Sequence, residues 1–68
     1  SSFEVAEKNA LAAAFMLEEK ATCGWIEARL RESDENAKLF LSNELFHPLS
    51  SSQRFKEIVN RFSDNKDA

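Results

Sequence analysis

The run Ala10-Leu11-Ala12-Ala13-Ala14-Phe15-Met16-Leu17, with Glu7 and Lys8 before it and Glu18, Glu19 and Lys20 after it, constrains this chain more than any other feature. Alanine loses no side-chain entropy in a helix, so the run predicts one. It is too short to cross a bilayer, which needs about 20 predominantly apolar residues, and no membrane role is expected. An alanine-rich face also lets a second helix approach closely. The feature therefore describes a scaffold for helix–helix contact and names no chemistry.

The rest of the chain agrees with an all-α fold. One glycine, one proline and no tyrosine leave little material for hairpins or barrels. Four acid-before-base pairs stand at helical i,i+4 spacing: Glu4–Lys8, Glu27–Arg31, Asp34–Lys38 and Glu57–Arg61. Each is in the favourable orientation, and together they cover every helix that hydrophobicity suggests. At 68 residues the chain holds one domain, near the size where a single core supplies only a few kcal/mol.

The first helix opens at Ser1 or Ser2, either able to cap it, with Glu4 facing the positive end of the dipole. The stripe Ala6, Ala10, Ala13, Leu17, Ala21, broadened by Leu11 and Phe15, carries it at least to Thr22. Gly24 allows two readings. It either stops the helix as a left-handed residue, or the helix passes through it to Leu30, because Ala21, Gly24 and Ala28 extend the stripe. Continuity is favoured, since no loop chemistry surrounds that single glycine.

A break follows at Ser33-Asp34-Glu35-Asn36, where Ser33 or Asp34 caps a second helix with two acids in its first turn. This helix carries Ala37, Phe40, Leu41 and Leu45, widened by Leu39 and Phe46, and stops at His47 before Pro48. Ser50 and Gln53 fit a capping box for the last helix. Phe55, Ile58, Val59 and Phe62 give that helix its core stripe. The expectation is a small three-helix bundle, or a helical hairpin with a long N-terminal helix, with helices near 2–32, 34–46 and 51–63. Residues 1–63 form the domain, and 64–68 are a polar tail expected to fray.

Catalytic chemistry is thin. His47 is the sole histidine and suits a helix end, so no His-based metal pair can be built. Cys23, the sole cysteine, reads as a buried, inert thiol, because Glu18, Glu19 and Glu27 supply no electropositive setting. An unpaired cysteine and the lack of a signal-peptide pattern suit an intracellular setting. The chain begins at serine, as a processed product or a fragment of something larger would. Glu18 and Glu19 point about 100° apart on a helix and make a solvated face, not an acid–base dyad. Ser50–Ser52 could accept a phosphate, but capping accounts for them. Neither an enzymatic activity nor a cofactor is expected.

Charge is spread unevenly: nine acids and five bases in residues 1–49, against three and four in 50–68, for a net −3. No surface is prepared for phosphates, and nucleic-acid binding is disfavoured. Phe3-Glu4-Val5-Ala6-Glu7-Lys8-Asn9 resembles the first helix of a helix-turn-helix reader. The turn glycine of that family is missing, however, and alanine, leucine and phenylalanine follow where base-reading polar groups belong.

The apolar payload points elsewhere. Leu39, Phe40, Leu41, Leu45 and Phe46 spread around more than half of the second helix, which one neighbour cannot cover. The function expected is a protein–protein interaction module that buries a helix face against a partner protein or a copy of itself. Trp25, Ile26, Leu39, Leu45, Phe46 and Leu49 are the candidate contact residues. The alternatives are a helix-turn-helix DNA-binding regulator and a small acidic chaperone-like or antitoxin-like accessory.

Overall fold

The computed structural model describes residues 2–63. Within them the order is α1 (Ser2–Phe15), α2 (Glu19–Glu32), α3 (Ala37–Leu41), a 3₁₀ segment (Glu44–Ser51) and α4 (Gln53–Ser63), with no strand. The chain is a small all-α bundle. The expected cap at Ser1 and the tail 64–68 lie outside the described residues.

The expected 2–32 helix is two helices. α1 ends at Phe15, and the chain reverses through Met16, Leu17 and Glu18. The Leu17 amide donates to Ala14 O at 2.9 Å and the Glu18 amide to Ala13 O at 3.0 Å. That pair of bonds is a Schellman ending, whose central residue is left-handed and usually glycine. Here the residue is Leu17, at φ 59°. No glycine marks the turn, and the apolar stripe runs straight through it, so periodicity carried the helix too far. The helix does run through Gly24, as favoured.

The turn folds α2 back along α1. α1 presents Ala6, Ala10 and Ala14 to this contact, all buried, and α2 answers with Thr22, Cys23, Ile26 and Arg29, also buried. Alanines bring the two backbones close, which explains the alanine run in packing terms. At the start of α2 the Thr22 hydroxyl donates to Glu18 O at 2.6 Å.

The second expected helix, 34–46, is also divided. Ser33 caps the end of α2, and its Oγ accepts from the Glu35 amide at 3.1 Å. The two acids therefore sit in the connecting turn, and α3 starts only after left-handed Asn36. Asparagine tolerates that region because its short polar side chain bonds locally. α3 ends after five residues. Ser42 Oγ donates to Leu39 O at 2.7 Å, and Asn43 Oδ1 accepts from the Leu45 amide at 2.9 Å. Such side-chain bonds compete with the helical ladder. The chain continues as 3₁₀ helix past His47 and through Pro48 to Ser51, rather than stopping at His47.

That change of helix type redistributes the apolar residues. A 3₁₀ helix turns about 120° per residue, against about 100° in an α-helix, so Phe46 and Leu49 share a side. Both are buried. Phe46 packs edge-on to Phe40 at 5.2 Å between ring centroids and tilted to Phe55 at 6.0 Å. α4 closes the bundle with Phe55 and Ile58 buried and Val59 and Phe62 half-buried against the core. Its cap is Ser52, whose Oγ accepts from the Phe55 amide at 3.2 Å. The capping position is thus two residues beyond the expected Ser50.

Candidate functional site

The α1–α2 turn is where the molecule departs furthest from what stability alone would select. Phe15, Met16 and Leu17 are 72%, 65% and 72% exposed, three large apolar side chains in succession at one tip. Burying a leucine or phenylalanine side chain is worth about 1.5–3 kcal/mol, and this tip forgoes roughly two-thirds of it. Leu17 also holds a backbone region that disfavours side chains by roughly 1–2 kcal/mol. Beside it a shallow cleft of about 200 Å³ is lined by Leu17, Glu19, Pro48 and Leu49, so apolar surface continues onto the 3₁₀ segment. Glu18 and Glu19, both exposed, follow immediately.

The six residues expected to meet a partner separate into two groups. Trp25 (38%), Leu39 (72%) and Leu45 (37%) keep exposed surface. Ile26, Phe46 and Leu49 are buried in the core, so the folded chain does not offer them to a partner. The apolar excess of the 34–46 stretch is covered from within, by α1 and α4 against the 3₁₀ segment and by α4 against α3. The Phe15–Leu17 tip was absent from the expected set because the alanine stripe places those residues mid-helix.

Arg29 is the second unusual feature. It is buried on α2, with its guanidinium carbon 4.4 Å from the centroids of both Phe3 and Phe40. Aromatic faces attract a cation electrostatically, and a guanidinium is weakly hydrated enough to be held between them. Its Nη2 lies 3.5 Å from Glu7 Oε2, while Nε and Nη1 have no hydrogen-bond partner. The stack ties the start of α1 to α3 across α2. It borders a cleft of about 440 Å³ whose walls include Phe3, Leu11, Leu39, Glu7 and Glu35. Arg29 lines that cleft as well, and its pairing with Glu7 leaves Glu35 as the other charged group on the walls.

A third cluster lies on the α2–α4 side. Arg54 grips Glu27 through two hydrogen bonds, Nη2 to Oε1 at 2.8 Å and Nε to Oε2 at 3.2 Å. This bidentate pair holds the Glu27 carboxyl below the usual glutamate range, helped by the charges of Arg61 and Arg31. Glu27, Arg31 and Arg61 share a cleft of about 370 Å³ with half-buried Leu30 and Phe62. Three arginines around one carboxylate make a locally positive site of mixed polarity on an acidic chain.

Cys23 is fully buried, and burial pushes its thiol up against the opposing pull of Arg54 and the Ser52 side chain. A thiol in that state is a poor nucleophile. His47 is exposed on the 3₁₀ segment. Among the described residues no group of three His, Cys, Asp or Glu side chains could hold a metal ion. No described helix is long and apolar enough to cross a membrane. Comparison with family models, with curated proteins and with solved structures finds no match for this chain.

Proposed function

We propose that this chain is a small helical protein–protein interaction module whose docking surface is the Phe15–Met16–Leu17 tip. One observation carries the reading: three successive large apolar side chains remain exposed at a turn built on a left-handed leucine. A glycine at that turn and polar neighbours would serve the fold better, so the fold is not what these side chains serve. Contiguous exposed apolar surface of this kind marks sites that become covered by another molecule. Trp25, Leu39 and Leu45 supply further exposed apolar surface, while Ile26, Phe46 and Leu49 act indirectly by keeping the scaffold rigid.

The test separates docking from folding. Phe15→Ser and Leu17→Asp alter side chains that the bundle does not bury, so helicity and melting temperature stay close to wild type. Both variants are expected to lose a partner that the wild-type chain retains from source lysate. Retention of the same partner by both variants, with the fold intact, overturns the reading.

A further inference from the structure

We infer that the tip docks onto a second copy of this chain, its Phe15–Leu17 side chains and following carboxylates entering the Leu30–Phe62 cleft between Arg31 and Arg61. The inference rests on the proposed docking role of the tip and names its occupant. Two surfaces of one molecule carry complementary chemistry. The tip is apolar and then acidic: Phe15, Met16 and Leu17, followed by Glu18 and Glu19, all exposed. The cleft is basic and of mixed polarity: half-buried Leu30 and Phe62 lie beside exposed Arg31 and Arg61, with Glu27.

The local charge balance favours a carboxylate there. Among the described residues Glu27 is the acid on the cleft wall, and its oxygens are already engaged by Arg54. Among the described residues, neither Arg31 nor Arg61 is hydrogen-bonded to a carboxylate. An incoming Glu18 or Glu19 would find two guanidinium groups with donors to offer, and the side chains ahead of it would meet the exposed edges of Leu30 and Phe62.

Geometry makes the contact intermolecular. The tip immediately precedes the first residue of α2, and Leu30 and Arg31 lie in its last turn. Twelve helical residues at 1.5 Å each separate Glu19 from Arg31 by roughly 18 Å. The molecule therefore cannot fold its own tip into its own cleft. The joint pairs unlike surfaces, so copies associate either twice over in an antiparallel dimer or head to tail in a growing chain. An ion-paired joint of this type weakens as salt screens it.

The experiment is sedimentation of four samples at rising concentration in low and high salt: wild type, Glu18→Lys/Glu19→Lys, Arg31→Glu/Arg61→Glu, and an equimolar mixture of the two variants. All four substituted side chains are exposed, so circular dichroism should show each variant folded. The single exchanges Glu18→Lys and Arg61→Glu replace any double variant that loses helicity. Wild type is expected to associate, each variant alone to associate about tenfold more weakly or less, and the mixture to recover. A wild type that stays monomeric at high micromolar concentration in low salt overturns the inference, as does association that neither variant weakens. If wild type is monomeric while Leu17→Asp still loses a different protein, self-docking fails and the interaction role stands. Equal retention of that protein by Leu17→Asp removes the role itself.

Discussion

Leu17 occupies the left-handed region that glycine enters freely, and it is 72% exposed while doing so. Little burial would be lost with its side chain, and the steric penalty would vanish. Against this, glycine gives up an extra 0.5–1 kcal/mol or so of chain entropy on folding. Leu17→Gly is expected to stabilise the fold by a net amount of roughly 0.5–1 kcal/mol, a rise in melting temperature of about 2–8 °C. A lower melting temperature in a thermal scan would mean that Leu17 packs against the bundle. Arg29 poses the opposite case. Two of its nitrogens are buried without partners, so the charge is a liability that the two rings and Glu7 only partly offset. Arg29→Met keeps the stem and removes the charge, and is expected to be as stable as wild type or more so. Arg29→Ala removes the stem too, and is expected to lose roughly 2–5 kcal/mol, the range for emptying a long buried side chain. Chemical denaturation of both variants checks this, and equal losses would show that the charge itself stabilises. Neither residue announces its role in the sequence. Leucine is the least informative marker of a left-handed turn, and an arginine on an apolar stripe carries no sign that two phenylalanines will enclose it.

At the scale of elements, local signals were legible where one element made its own case. The α4 stripe reads directly from Phe55, Ile58, Val59 and Phe62, and the 33–36 break from its run of polar residues. Boundaries decided by single backbone bonds were not legible. The α1 ending depends on the Leu17 and Glu18 amides, and the shift to 3₁₀ helix on the Ser42 and Asn43 side chains. Gly24 shows the converse, a conspicuous residue that the fold does not need. It lies inside α2 without a positive φ, and an added Cβ would meet nothing within 4 Å. Gly24→Ala is expected to stabilise the chain by about 0.5–1 kcal/mol through helix propensity alone, read from the denaturation midpoint. Loss of stability would place a neighbour against that face. The α2–α4 joint has a pH signature. Arg54 holds the Glu27 carboxyl below its ordinary range, so the folded state binds that proton less readily than the unfolded chain. The stabilisation is therefore present above the ordinary glutamate range, about pH 4.3, and is lost as pH falls through the lowered folded value. Glu27→Gln is expected to melt below wild type at neutral pH and level with it in strong acid. A melting difference independent of pH would show that the pair is not responsible.

For the whole molecule, the apolar excess apparent in the sequence is real but lies elsewhere. Phe40, Leu41, Phe46 and Leu49 are consumed by the core of a chain too short to spare them. The surplus emerges at the α1–α2 tip and at Trp25, Leu39 and Leu45. Of the apolar surface left exposed, the sequence points to Trp25, Leu39 and Leu45 and not to the tip. Exposure is a property of the assembled bundle, and the alanine stripe disguised the turn that creates it. The arginine cluster was missed for a related reason: Arg31, Arg54 and Arg61 converge only when α4 folds beside α2. The central claim is that the tip stays uncovered by its own chain and is covered by another polypeptide. Met16 allows a direct measurement, because it is the only methionine in the sequence and is 65% exposed. Replacing it biosynthetically with photo-methionine puts one photoreactive group at the tip, and mass spectrometry after irradiation identifies what it joins. The expected result is a cross-link from position 16 to a second polypeptide, at residues lining the Leu30–Phe62 cleft if that polypeptide is another copy. Cross-links confined to residues of the same chain would contradict the account, because the tip would then be covered from within.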